Sequence, residues 1–221
     1  MMTYLTRLSA VVLTMLCLSA CVAPPSYNYS ALIAAKPASI LVLPPKNLSP
    51  DVNATYATLA QMTTPLSETG YYVIPVALMD AAFKENGVFS ANDAQNIAPA
   101  KLLDIFGADA ALYTEITEYG NSYKVIRAET AVAARATLVD LRTGIVLWEG
   151  NARASSAEQQ QNSGGGLAGL LIQAAVQQIA NSIVDNSYTY AGIASDRLLS
   201  PRPAGLLPGP RSPLYGQPSK P

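Results

Sequence analysis

Between Tyr123 and Leu141 the chain alternates apolar or small residues with polar ones, and this run commits its middle to β-structure. The even-numbered face (Ile126, Ala128, Thr130, Val132, Ala134, Ala136, Leu138) reads as the core side, and Arg127, Glu129 and Arg135 point away. At about 3.3 Å per residue such a strand is longer than usual, so a bend or bulge is expected near Glu129. Upstream, Ala110, Leu112, Thr114 and Ile116 alternate with Tyr113, Glu115 and Thr117, and Gly120-Asn121 predicts the turn between the two strands. Downstream, "DLRTG" (Asp140–Gly144) turns the chain back into Ile145–Ala154, with Gly144 supplying a positive φ. A transmembrane β-hairpin fits the pattern poorly. Its outward face has no aromatic girdle, and one hairpin cannot close a barrel.

The flanking segments change period. "SILVLPP" (Ser39–Pro45) is a short apolar run that predicts a strand buried on both faces. Val52, Tyr56, Leu59, Met62 and Leu66 then recur at helical spacing, with Pro65 tightening or kinking the last turn. Tyr71–Val76 predicts a second strand, Ala77–Asn86 a helix, and Pro99–Phe106 a short helix with Leu102, Leu103 and Phe106 inward. Residues 155–166 read as a Gln/Ser/Gly linker, Leu167–Asp185 as a helix and Tyr190–Leu199 as another. From Pro201 to Pro221, seven of 21 residues are proline, and that composition predicts a disordered tail. The order implies one α/β sandwich over 39–200: a single mixed sheet with a parallel first pair and an antiparallel meander, covered by helices.

The first twenty residues belong to processing rather than fold. Arg7 is the only charge before Lys36, and the apolar run Leu8–Ala23 is too short for the roughly 20 residues of a bilayer span. Leu18-Ser19-Ala20-Cys21 resembles the lipobox of bacterial lipoproteins. The resemblance implies diacylglycerol on Cys21, cleavage before it, and acylation of the new amine, so that N-terminal acyl chains hold the protein in the lipid bilayer. Residues 1–20 are then signal peptide and 21–38 a lipidated tether. Val22, rather than an aspartate, favours the periplasmic face of the outer membrane. With Cys17 removed and Cys21 a thioether, no internal disulfide can form.

The chain has no histidine, which removes Ser-His-Asp and Cys-His triads, H-E-x-x-H zinc sites and histidine pH switches. A formal net charge of −1 leaves no electrostatic footprint for nucleic acid. Among the carboxylates, Glu115 and Glu118 are the tempting acid/base pair, but three-residue spacing on a regular strand puts them on opposite faces. Asp140 reads as a turn acceptor, Trp148 as sheet-face packing, and Gly164-Gly165-Gly166 as linker rather than a phosphate loop. No catalytic, metal or cofactor residues emerge. One feature points to a partner: Gln159 to Val184 carries no charge, and Gln173, Gln177, Gln178 and Asn181 form a narrow amide stripe beside a wide apolar face. A core helix with its amide edge at the surface would carry the same pattern; since interface centres are depleted of charge, the stripe is also the candidate surface for a homo-oligomer.

"SILVLPPKNLSPDVNATYATLAQMTTPLSETGYYVIPVALMDAAFKENG", "IFGADAALYTEITEYGNSY", "LVDLRTGIVLWEG", "QIANSI" and "LLSP" together resemble the neisserial-type outer-membrane lipoprotein family, whose activity is unassigned. The resemblance covers most of residues 21–200. It implies genes encoded beside a CsgG-like lipoprotein and a small companion lipoprotein, and a fold similar to the TolB N-terminal, CsgG and LpoB periplasmic domains. On that footing the expected role is a non-catalytic accessory or structural subunit of an outer-membrane secretion or transport assembly. An LpoB-like activator of a peptidoglycan synthase and a small envelope hydrolase are the rivals.

Overall fold

A computed structural model describes residues 27–124, 127–161, 186–201 and 205–217. In chain order the elements are α1 (Ser30–Ala35), β1 (Ser39–Val42), β2 (Lys46–Asn47), α2 (Ala54–Glu68), β3 (Tyr72–Val73), α3 (Val76–Glu85), α4 (Ala91–Gln95) and α5 (Pro99–Phe106). There follow β4 (Ala110–Lys124), β5 (Arg127–Asp140), β6 (Val146–Ser155), α6 (Ser156–Gln161) and α7 (Ser187–Leu199). The sheet order is β3-β1-β4-β5-β6, with β2 also pairing β4. β1 pairs in parallel with β3 and β4, while β4-β5-β6 is antiparallel. This is the mixed sheet, covered by helices, that the periodicity implies.

The even-numbered face of β5 is the core face. Thr130, Val132, Ala134, Ala136 and Leu138 are all buried there, opposite Asn121, Tyr119, Ile116, Thr114 and Leu112 of β4. Helices α2 and α7 cover it: the Thr114 hydroxyl reaches Met62 Sδ at 3.7 Å, and Ala54 of α2 clusters with Tyr190, Ala191 and Ala194 of α7. Leu41 and Ala111 point the other way and are also fully buried, in the cluster that holds Phe83 of α3 and Leu102 of α5. Phe83 and Phe106 meet edge to face at 5.4 Å between ring centres. Both faces of β1 are therefore dry, which is why "SILV" is continuously apolar.

Trp148 is buried on the core face beside Leu138. Its indole covers Gly150, where a Cβ would overlap the ring and come within 3.2 Å of Leu198 on α7. A rigid, enclosed ring cannot give way, so Gly150→Ala is expected to cost about 1–3 kcal/mol, a cost of overpacking. Equilibrium denaturation of the parent and the variant checks it.

Several sequence expectations are corrected. β4 runs straight through Gly120-Asn121 to Lys124, so the turn is not there. The irregularity also lies elsewhere than Glu129, which pairs regularly with Ser122. The register shifts between Ile116 and Glu118, where Thr117 is the extra residue, and again between Leu138 and Val139, where β6 inserts Leu147. A bulge adds one residue and shifts the phase of burial, so the core face of β4 passes from Leu112, Thr114 and Ile116 to Tyr119, but no residue type marks the place. Val52 is 86% exposed, and the buried stripe of α2 is Ala54, Thr58, Leu59, Met62, Pro65 and Leu66. Pro65 lies in the last turn, and the backbone NH and hydroxyl of Thr69 both donate to its carbonyl.

The tether, the linker and the tail are each more structured than composition implies. α1 forms within residues 21–38 and buries Leu32. Residues 155–161 complete β6 and form α6. The tail docks. Leu206 is fully buried, Gly209 NH donates to Thr69 O at 2.9 Å, and Arg211 NH donates to Gly70 O at 3.1 Å. Gly70 and Gly209 make this approach possible, since a Cβ on Gly70 would overlap Ser212 and one on Gly209 would lie 2.7 Å from the Gly70 carbonyl. Backbone-to-backbone docking through glycine needs few large apolar side chains, so a low-hydrophobicity segment can still be held.

Candidate functional site

Cys21, Gln173, Gln177, Gln178 and Asn181 lie outside the described residues, as does the helix expected over 167–185. The described chain offers a charged sheet face, a turn clamp and an apolar groove.

The charged face is the outward side of β4-β5-β6. The Thr117 bulge brings Glu115 and Glu118 onto this one face, opposite Arg135 and Ala133, which overturns the opposite-face expectation. Being on one face does not make them a free acid pair. Arg135 Nε donates to Glu115 Oε2 at 2.6 Å. Arg153 donates to Glu118 at 2.8 and 3.2 Å and to Glu129 at 2.8 Å. Those two carboxylates, Glu118 first, raise the Arg153 guanidinium further above its ordinary value against the opposing effect of burial. Each arginine is substantially exposed, so the network sets surface charge pattern more than stability. A polar cleft of about 550 Å³ opens beside it, with Tyr27, Gln95, Tyr113 and Asn151 on its walls.

The clamp is the "DLRTG" turn. Asp140 Oδ1 accepts from the NH groups of Arg142 and Thr143 at 3.0 and 2.7 Å and from the Thr143 hydroxyl at 2.9 Å, as the turn reading expects. Gly144 has φ +73°. Arg142 in turn donates to Asp109 Oδ1 at 2.6 Å. Asp109 Oδ2 accepts from Ala38 NH, Ser39 NH and the Ser39 hydroxyl, at 3.0, 3.0 and 2.9 Å. One carboxylate thus ties the starts of β1 and β4 to the β5–β6 turn. Burial pushes the Asp109 carboxyl up, but Arg142 and the donors from Ala38 and Ser39 outweigh it and hold it below the usual range. Sequence reasoning passed over Asp109; its place between Gly107 and the strand "AALYTEI" was the only signal.

The groove lies where the described chain begins and ends. It encloses about 590 Å³ between α1, Tyr71 and the segment 207–217. Tyr29 and Tyr71 form its walls. Their hydroxyls donate to Gly205 O and Leu207 O at 2.5 and 2.9 Å, and burial raises both phenols above their ordinary value. With the hydroxyls engaged, the rings present carbon to the groove.

Comparison with known proteins settles the kinship. The family described as "Putative lipoprotein GNA1162-like" matches residues 27–211, which spans the sheet, the clamp and the first part of the docked tail. This chain belongs to the GNA1162-like family. Its lipoprotein relative NMB1124/NMB1162 of Neisseria meningitidis serogroup B is 49% identical over 199 residues, covering 89% of this chain and 92% of that protein. The crystal structure of lipoprotein GNA1162 from Neisseria meningitidis superposes with a TM-score of 0.51 at 51% identity, covering 66% of this chain and 99% of that one. The LpoB C-terminal domain from Salmonella enterica aligns with a TM-score of 0.39 at 19% identity, over 53% of this chain and 82% of that domain, and nothing further rests on that likeness. As a GNA1162-like protein the chain is a cell-envelope lipoprotein by family, and no catalytic activity attaches to the family's description. Among the described residues, no helix is long and apolar enough to cross a membrane.

Proposed function

We propose that this chain is a lipid-anchored, non-catalytic binding subunit of an outer-membrane secretion or transport assembly, anchored through Cys21 and self-associating. The observation that carries the reading is the ribbon at the end of the meander. β6 makes its last pairing at Ser155↔Ala131, and β2 makes its last at Asn47↔Ile116. Four further pairs, from Asn121↔Thr130 to Lys124↔Arg127, continue β4 and β5 without a third strand among the described residues. Thr130 NH donates to the Ser156 hydroxyl of α6 and Glu129 is held by Arg153, but a two-stranded ribbon is marginal in water and gains stability from a partner surface. The paired carboxylates of the outer face support a binding role over hydrolysis.

A photo-crosslinking residue at Asn121, compared with one at Asn92 on α4, tests the reading in intact cells. The expected result is a product specific to Asn121 that contains a second copy of the chain or a secretion-type envelope component. A peptidoglycan synthase in that product would replace the secretion reading with the activator reading. Equal yields at the two positions would remove the ribbon from the account. In the same cells Cys21→Ser is expected to leave the membrane fraction or to persist as uncut precursor, and normal membrane partitioning of the variant would end the anchor reading.

A further inference from the structure

We infer that the apolar groove between α1 and the C-terminal segment is a docking face for the lipid bilayer that holds the anchor. The inference rests on the anchor reading above and adds an orientation to it. Three observations converge on this pole of the domain.

The first is reach. Five residues separate Cys21 from Tyr27, so over these six Cα–Cα steps the first described residue cannot lie further than about 22 Å from the backbone of Cys21, whatever path the chain takes. The 15 residues of β4 alone span about 48 Å. Tyr27 borders the polar cleft, and its ring meets that of Tyr29, a groove-wall residue, in a tilted contact with 4.7 Å between ring centres. α1 leads through Lys36 and Pro37 directly into β1, so the groove sits at the N-terminal end of that strand. β4 runs parallel to β1, which sends the ribbon away from the groove. A tether this short keeps the groove pole near the bilayer and the ribbon far from it.

The second is exposed apolar surface. Ile33 and Tyr215 at the groove edge are 59% and 44% exposed, although they border a concavity walled by carbon. Exposed apolar residues gathered around one concavity mark an interaction surface. The third is the chemistry of the rim. Lys36 borders the groove beside Tyr29, Tyr71 and Tyr215; outside the lining, Arg211 of the same C-terminal segment lies over the Tyr72 ring at 5.1 Å. Tyrosine rings with basic side chains around an apolar centre suit the headgroup level of a membrane, where the rings sit in the interface and the cations meet lipid phosphate.

The test uses the full lipidated chain reconstituted into vesicles of phosphatidylethanolamine with a minor fraction of phosphatidylglycerol. Signal cleavage removes Cys17 and acylation blocks Cys21, so one introduced cysteine is the sole free thiol. Tyr215→Cys and, separately, Ile33→Cys carry an environment-sensitive fluorophore, and Asn92→Cys is the control. Docking predicts that spin-labelled lipid quenches positions 215 and 33 at least about threefold more than position 92, while aqueous iodide shows the reverse order. Equal quenching at all three positions in a chain that floats with the vesicles overturns the docking alone. Protection of 215 from iodide without lipid quenching assigns the groove to a second copy and overturns it too. A chain that does not float overturns the anchor and the docking together.

Discussion

Truncation after Pro201 is expected to lower the melting temperature by about 5–10 °C, or about 2–4 kcal/mol for a domain near this size. The segment contributes more than a surface strap. Leu206 is fully buried, and full burial of a leucine side chain is worth about 1.5–3 kcal/mol. Removing residues 205–217 also takes the acceptors from the Tyr29 and Tyr71 hydroxyls and uncovers the buried Tyr71 ring. Against this, truncation returns the ordering entropy of the segment, which keeps the net loss to a few kilocalories. Leu206→Ala in the full chain should move in the same direction by about 2 kcal/mol or more but by no more than the truncation, since a segment that undocks entirely costs no more than its removal. A truncated chain whose thermal unfolding matches the parent would show that the segment contributes nothing.

Asp109→Ala should cost about 3 kcal/mol at neutral pH. The Arg142 side of the contact is exposed and adds little. The loss comes from the Ala38 and Ser39 donors, which give up a charged acceptor at the point where three segments meet. Asp109→Asn keeps one acceptor oxygen and should lose about half as much. The pH dependence has a definite sign. The folded carboxyl lies below its ordinary value of 3.8, so across the interval between the two values the unfolded chain binds more protons. The stabilisation is complete above that ordinary value and disappears as pH falls through the lower folded one. Urea denaturation at neutral and acid pH should therefore show a smaller gap between parent and Asp109→Ala at acid pH. A gap that stays constant would assign the effect to packing.

The parts of the fold that were legible in the sequence are those where side-chain burial follows a fixed period. Val132, Ala134, Ala136 and Leu138 declare their face because a strand buries every second residue. Asp140 declares itself because a short carboxylate before Thr143-Gly144 has few other uses. α4 was equally legible but unread. Ser90 accepts from Asp93 NH at 3.1 Å and donates to the Asp93 carboxylate at 2.7 Å, a capping arrangement written as "SAND". The groove and the Thr117 bulge were not legible. Gly209, Gly205 and Leu207 act there through backbone NH and carbonyl groups that every sequence possesses, and a bulge changes spacing without changing composition. For Glu115 and Glu118 that one added residue reverses their relation, from opposite faces to a shared one, and only the register reveals it.

The bond from Tyr29 to Gly205 joins residues 176 positions apart, near the two extremes of the described chain. A polypeptide delivered N-terminus first can build its sheet before this contact exists, because every strand precedes Gly205. α1 can already rest on β6, but the Tyr29 hydroxyl lacks its acceptor and the groove its far wall until the last segment arrives. Such long-range closure comes late for reasons of chain entropy as well as delivery. The closing of the groove therefore marks the end of folding.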